Sequence, residues 1–259
     1  MDRWNPESYL KYERERTLPS RDLVKHIELD RPRRVIDIGC GPGNSTQILR
    51  DRWPGAEITG LDSSEEMIRK AKASFPTTEW ILADAERWHP DSAYDVVFSN
   101  AALQWMSDQA AVVANLFGCL EEHGVLAVQV PLNVDSPLAK AVAKVAQSAP
   151  WRDRMADCDS RITYSDEAFY YDILSRLTRR VEMWITIYLH AMDGHQDLID
   201  WYSSTGMRPY LARIESEEEK NHFRGQVLDE CREEYPIRPD GKVIFPFKRL
   251  FFVATKESG

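Results

Sequence analysis

The sequence predicts a doubly wound α/β fold, with a mostly parallel seven-stranded sheet and helical insertions. Three observations carry this. Short β-branched runs alternate with helix-patterned segments over residues 34–131, three glycines crowd the seam after the first run, and an acid stands at the end of each of the first three runs. Strands buried on both faces read as unbroken apolar runs, and the helices between them supply the cover, so the alternation implies a parallel sheet.

The elements follow in order. Residues 34–39 (RVIDIG) read as a buried strand closed by glycine, and residues 44–52 as a helix with Ile48 and Leu49 inward. Residues 57–62 (EITGLD) form the second strand. A helix over 63–74 follows, capped by Ser63 or Ser64, with Met67, Ile68 and Ala71 on its apolar side. Residues 79–84 (EWILAD) and 94–100 (YDVVFSN) are the third and fourth strands, 109–120 a helix, and 124–131 (GVLAVQVP) the fifth strand. Beyond Pro131 the rhythm changes. Residues 135–147 and 166–176 read as helices with no strand between them, 181–190 as a sixth strand, 196–203 and 215–235 as helices, and 249–255 (RLFFVAT) as the last strand.

Composition narrows the partners. A net charge of −9 over 259 residues argues against a general binder of nucleic acid or anionic membrane, since both demand positive charge. A small anionic substrate remains compatible, because a few local arginines outweigh a distant average. The cysteines Cys40, Cys119, Cys158 and Cys231 lie far apart, without CxxC or Cys/His ligand spacing, so free thiols and no metal are expected. The opening MDRWNPESYLKYERER is charged where a signal peptide is apolar, and no apolar run reaches membrane length. A cytoplasmic location is expected.

The chemistry concentrates in VIDIGCGPGNSTQIL, residues 35–49. In doubly wound sheets ligands bind beyond the carboxyl ends of the strands, where strand order reverses. Gly39, Gly41 and Gly43 permit a tight turn there and a close approach to the backbone. A dinucleotide turn, G-x-G-x-x-G, requires glycine where Asn44 stands. Asp37, on the strand itself, repels a pyrophosphate but suits an ammonium group. Asp62 is placed to accept from two ribose hydroxyls, with Ser63 beside it, and Asp84 with Ala85 to meet an adenine. A ligand with an amino group, a ribose and an adenine but no phosphate fits this order: S-adenosyl-L-methionine, leaving as S-adenosyl-L-homocysteine.

On these residues the chain resembles the class I methyltransferases that use S-adenosylmethionine, over its first half and last strand. The stretches WNPESYLKY (4–12), SNAALQW (99–105), STGMRPY (204–210) and FPFKRLFFVA (245–254) look like the trans-aconitate methyltransferase family across nearly the whole length. The pattern departs mildly at Ser204 and Met207, where the family more often has glycine and leucine. The resemblance implies a Rossmann-like methyltransferase sheet and methylation of one carboxylate of a small tricarboxylic acid. The amphipathic N-terminal segment with Tyr9 and Tyr12 reads as a helical lid over residues 1–30, with a helix packed outside the sheet as the alternative. The change of rhythm after Pro131 gives a cofactor-binding sheet domain of residues 31–132 and 241–259 with strand 180–190. Helical substrate-cap insertions would then cover residues 133–179 and 191–240.

A carboxylate is ionised at neutral pH, since its reference pKa is about 4, and needs no general base. Its requirements are placement about 3 Å from the methyl carbon and exclusion of water. No acid–base residue is therefore assigned. Asn100 is expected at the methionine end of the cofactor, with Gln104 and Trp105 lining the transfer site. Arginine forks suit carboxylates. The candidate clamps are Arg14, Arg16, Arg208, Lys248 and Arg249, with Tyr9, Thr205, Gly206 and Tyr210 as neighbouring contacts. Competing readings are a methyltransferase of another small acid or carrier-bound acyl carboxylate, a nicotinamide oxidoreductase, which Asn44 disfavours, and a non-catalytic cofactor-binding protein.

Overall fold

The computed structural model describes residues 13–156, 158, 163 and 165–258, the side chains of residues 13, 14 and 16 excepted. Its strands are β1 (Arg34–Ile38), β2 (Glu57–Asp62), β3 (Glu79–Leu82), β4 (Tyr94–Asn100), β5 (Leu120–Pro131), β6 (Arg180–Met192) and β7 (Val243–Thr255). They form one sheet in the order β3-β2-β1-β4-β5-β7-β6. β1 pairs in parallel with β2 and β4, and β4 in parallel with β5; β7 runs antiparallel to β5. The chain winds outward from β1 to β3 and then returns to β4 on the other side of β1. The carboxyl ends of β1 and β4 therefore flank the switch point at which such sheets bind ligands.

The helices are α1 (Glu13–Lys25), α2 (Asn44–Arg52), α3 (Glu65–Ser74), α4 (Gln109–Gly118), α5 (Pro137–Ala146), α6 (Arg152–Met155), α7 (Glu167–Leu174), α8 (His195–Ser203), α9 (Arg208–Leu211) and α10 (Glu217–Cys231). Of the two serines expected to cap α3, Ser64 does so, its hydroxyl accepting from the Met67 N–H. Asp108 caps α4 in the same way, through the Ala111 N–H.

Four expectations are corrected. The helix predicted over 109–120 ends at Gly118, and β5 starts at Leu120 instead of 124, with Leu120 paired to Tyr94. Three exposed polar residues, Glu121 to His123, interrupt the apolar run, and a register shift between Tyr94 and Val96 absorbs them. β7 begins at Val243 rather than 249, because its first half alternates: Val243, Phe245 and Phe247 are buried while Ile244 and Pro246 are exposed. Pro246 lies beyond the β5 pairing, which ends at Arg249, so its missing N–H breaks no rung of that ladder. β3 stops at Leu82, leaving Asp84 in the following turn. The helix predicted over 215–235 is α10, capped by Ser216 and followed by a 3-10 turn at Arg232–Glu234.

The chain divides into two compact units. One comprises residues 16–131, 163–186 and 249–259, and its centre is the apolar interior of β1, β4 and β5, where Val35, Ile36, Ile38, Val96, Val97, Phe98, Leu126 and Val128 are fully buried. The other comprises residues 1–15, 132–162 and 187–248. It has its own core of Trp151, Trp201, Phe223 and Phe245, in which Trp151 and Phe223 meet edge to face at 5.2 Å. Such a pair is worth about 0.5–1.5 kcal/mol beyond its buried area. All four cysteines are buried, and none forms a disulfide among the described residues.

Candidate active site

Asp37 is the centre of the site. Its side chain is fully buried on β1, where Oδ2 accepts hydrogen bonds from Ser45 Oγ at 2.7 Å and Thr46 Oγ1 at 2.6 Å. Its Oδ1 is buried and has no partner among the described residues. Burial pushes the carboxyl up to about 7; the two hydroxyls oppose that rise and the charge of Asp62 adds to it. A buried acceptor without a donor costs free energy, and a cationic donor is the group that relieves it. The arrangement fits the ammonium group expected at this position.

The three glycines serve different ends. A Cβ on Gly39 would stand 2.2 Å from the Ala102 Cβ, and one on Gly43 would stand 2.7 Å from the Trp80 ring; both residues have positive φ. These two glycines therefore satisfy internal packing, a reason the ligand argument did not supply. Gly41, at φ +56, meets nothing within 4 Å, so the open side of the turn is there. Its N–H donates to Asp62 Oδ2 at 2.9 Å, while Asp62 Oδ1 accepts from the Ser64 N–H at 2.8 Å. Asp62 thus ties the glycine turn to the start of α3, and each of its oxygens keeps a second lone pair for an incoming hydroxyl.

The remaining cofactor candidates flank this turn. Ser63 is exposed. Asp84 is exposed and folds onto its own backbone, accepting from the Glu86 N–H at 3.0 Å; Ala85 is buried. At the end of β4, Asn100 Oδ1 is buried without a partner among the described residues. The next residue, Ala101, has φ 55, a conformation that costs a non-glycine residue roughly 1–2 kcal/mol. Gln104 Nε2 holds it by donating to the Ala101 carbonyl at 2.7 Å, and Gln104 Oε1 is buried without a partner among the described residues. Trp105 ends a single 3-10 turn with 45% of its surface exposed, so it does not plug the core.

The anion-binding candidates are distributed. Tyr9 lies outside the described residues, as do the side chains of Arg14 and Arg16. In the second unit, Arg208 is exposed at the start of α9, while its neighbours serve the packing. Thr205 Oγ1 contacts the carbonyls of Trp201 and Tyr202 at 3.5 and 3.4 Å, and a Cβ on Gly206 would stand 2.3 Å from the Tyr202 ring. Tyr210 is buried and stacks on Phe223. Lys248 is half-buried, its N–H donating to Asn133 Oδ1 at 3.4 Å. Arg249 is buried in the sheet unit, with Nη1 donating to Gln129 Oε1 at 3.1 Å.

Two parts of the site escaped the sequence reading. Ser45 and Thr46, which orient Asp37, were readable only as helix residues, although small hydroxyls straight after a glycine turn are a usable signal. Glu86 Oε1 gathers the Ser107 N–H at 2.7 Å, the Ser107 hydroxyl at 2.6 Å and the Asp108 N–H at 3.1 Å. Those donors hold its carboxyl below the usual range and tie the turn after β3 to the start of α4.

Known proteins agree with this architecture. A methyltransferase-domain family matches residues 35–124. The chain is 43% identical over 254 residues to the trans-aconitate 2-methyltransferase of Rhodopseudomonas palustris (strain BisB18), covering 98% of this chain and 99% of that protein. It is 40% identical over 256 residues to the Escherichia coli protein of the same name, covering 99% of each. Among solved structures it resembles the YcgJ protein of a Bacillus species at TM-score 0.61 and 18% identity, over 93% of this chain and 99% of that one. It also resembles the plantazolicin methyltransferase BpumL at TM-score 0.53 and 19% identity, over 97% and 90% of the two chains. The sheet is that of the class I methyltransferases.

Proposed function

The chain belongs to the trans-aconitate 2-methyltransferase family, and on that premise we propose that it is an S-adenosylmethionine-dependent carboxyl O-methyltransferase forming the monomethyl ester of trans-aconitate. The observation that carries the reading is the buried, unpartnered Asp37 Oδ1 beside the open turn at Gly41, within a chain related to that family over its full length. When bound, the cofactor supplies an electrophilic methyl carbon on a sulfonium.

The protein's part is binding and placement. Asp37 holds the ammonium group, Asp62 with Ser63 the ribose hydroxyls, Asp84 with Ala85 the adenine, and Asn100 the methionine end. Gly39 and Gly43 shape the turn and Gly41 gives the approach. Gln104 and Trp105 line the place where the substrate carboxylate meets the methyl group. That carboxylate arrives ionised, so no side chain has to remove a proton, and orientation with water excluded lowers the barrier by up to roughly 7–11 kcal/mol. Residues 1–30 act as a lid, and residues 133–179 and 191–240 form the substrate cap. Lys248 and the lid residues Tyr9, Arg14 and Arg16 add contacts to the acid, and Thr205, Gly206 and Tyr210 pack the turn that presents Arg208. A cytoplasmic location suits such a substrate; among the described residues no helix is long and apolar enough to cross a membrane.

The test is incubation with methyl-labelled S-adenosylmethionine and a panel of di- and tricarboxylic acids. A base-labile ester of trans-aconitate, formed faster than any other, is expected; preference for another acid overturns the substrate and total inactivity overturns the reaction. Arg208 supplies a sharper prediction. A hydrogen-bonded charge contributes roughly 1.5–3 kcal/mol, so Arg208→Ala should raise KM for trans-aconitate about 10- to 150-fold. Calorimetry should find S-adenosylhomocysteine binding unchanged, and an unaltered KM removes Arg208 from the substrate site.

A further inference from the structure

We propose that Gln129, supported by Arg249, forms a donor subsite that binds a carboxylate of the acid substrate; this rests on the carboxyl methyltransferase reading above.

The strand registers place the residues concerned on one face of the sheet. Asp37 pairs with Phe98, and Asn100, two residues further along β4, pairs with Gln129. Across the antiparallel pair, Gln129 faces Phe251 and Pro131 faces Arg249. Residues directly opposite share a face and side chains repeat every second residue. Asp37, Asn100, Gln129 and Arg249 therefore share one face of the sheet, on β1, β4, β5 and β7 in turn. They are polar in an otherwise apolar layer: Gln129 is 0% exposed between Val128 and Val130, which are also buried.

Orientation of the Gln129 amide follows from its neighbour. Arginine carries donors only, so the atom that receives Arg249 Nη1 at 3.1 Å is the carbonyl Oε1, and the NH2 group points the other way. Gln129 Nε2 is buried and has no partner among the described residues. Leaving such a donor unsatisfied costs folding free energy, which an incoming acceptor recovers. The face thus carries the acceptors Asp37 Oδ1 and Asn100 Oδ1 on β1 and β4, and the Gln129 donor beside a buried guanidinium on β5 and β7. The acceptor end suits a cation and the donor end suits an anion.

Which anion is decided by spacing. Neighbouring strands lie about 4.8 Å apart and residues about 3.3 Å apart along a strand, so Gln129, two strands over and two residues further along, stands roughly 12 Å from Asp37. An amino-acid tail carries its ammonium and carboxylate on one carbon, so a tail anchored at Asp37 leaves the donor at β5 to a different carboxylate. The substrate is the molecule that brings one. Arg249 raises the local potential and fixes the Gln129 amide.

The experiment compares wild type with Gln129→Leu and Gln129→Glu. Three quantities are measured: methylation kinetics on trans-aconitate, calorimetry of S-adenosylhomocysteine, and thermal midpoint. The leucine variant should raise KM for trans-aconitate at least tenfold. Glutamate, similar in size but anionic, should raise it at least a hundredfold although it can pair with Arg249. Both variants should bind S-adenosylhomocysteine as wild type does. Equal KM in all three proteins overturns the proposal, as does a loss of S-adenosylhomocysteine affinity matching the loss in KM, which would assign the donor to the cofactor. Wild-type crystals grown with S-adenosylhomocysteine and trans-aconitate provide a readout independent of the variants. A carboxylate oxygen within hydrogen-bond distance of Gln129 Nε2 is expected, and every carboxylate lying elsewhere overturns the assignment. A wild-type protein that neither binds nor methylates any acid of the panel defeats the underlying function, a result distinct from these.

Discussion

Asp37→Asn should weaken S-adenosylhomocysteine binding about 100-fold or more and yet raise the thermal stability of the ligand-free protein at pH 8. Both effects come from one cause. Burial lifts the Asp37 carboxyl from 3.8 to about 7. Between those values the folded chain holds a proton that the unfolded chain has released, so stability falls as pH rises from about 4 to about 7 and stays low above that. Three pKa units correspond to about 4 kcal/mol, an order-of-magnitude figure for a fully buried group. Asparagine carries no charge to desolvate, and its carbonyl still accepts from Ser45 and Thr46. Its NH2, however, meets the ammonium group donor to donor. Thermal midpoints across pH 4–8 should fall for wild type and stay flatter for the variant, with the two converging at the acid end. The affinity of wild type for S-adenosylhomocysteine should drop below pH 7, where Asp37 must give up a proton to bind a cation. Parallel pH profiles, or unchanged affinity in the variant, would remove Asp37 from the cation site.

The same residue shows what a sequence discloses. Asp37 and the glycine turn were legible because local spacing determines them: an acid on a β-branched strand, followed by a run that only a tight turn accommodates. β1, β2 and β4 were legible for the same reason, as short β-branched runs in a regular alternation with helices, and β3 in all but its end. The first half of β7 was not, because alternation with an exposed proline resembles a loop until its neighbour strand is known. Gln129 was illegible for a stronger reason. In GVLAVQVP it is one polar residue in an apolar strand, and its meaning depends on Arg249, which is 120 positions away in sequence. The division of labour among the glycines was equally hidden, since Ala102 and Trp80 crowd Gly39 and Gly43 only through tertiary packing.

Asp62→Ala should be comparably damaging by a different route. Asp62 Oδ2 receives the Gly41 N–H and Oδ1 the Ser64 N–H, so removing the carboxylate releases the turn and the start of α3 together. Its proposed ligand role adds two hydrogen bonds to ribose hydroxyls, each worth about 1.5–3 kcal/mol when the acceptor is charged. Asp62 is half-exposed, which reduces those values. A loss of roughly 100- to 1,000-fold in S-adenosylhomocysteine affinity is therefore expected. The two contributions separate with a 2′,3′-dideoxy analogue of S-adenosylhomocysteine. Wild type should bind it poorly, and Asp62→Ala should bind it only about tenfold worse than wild type, the remainder due to the loosened turn. Asp62→Asn, which keeps one carbonyl acceptor, should fall between the two with the natural ligand. If Asp62→Ala discriminates between the natural and dideoxy ligands as strongly as wild type does, the ribose is held by another residue, and Asp62 serves only to tether Gly41 and Ser64.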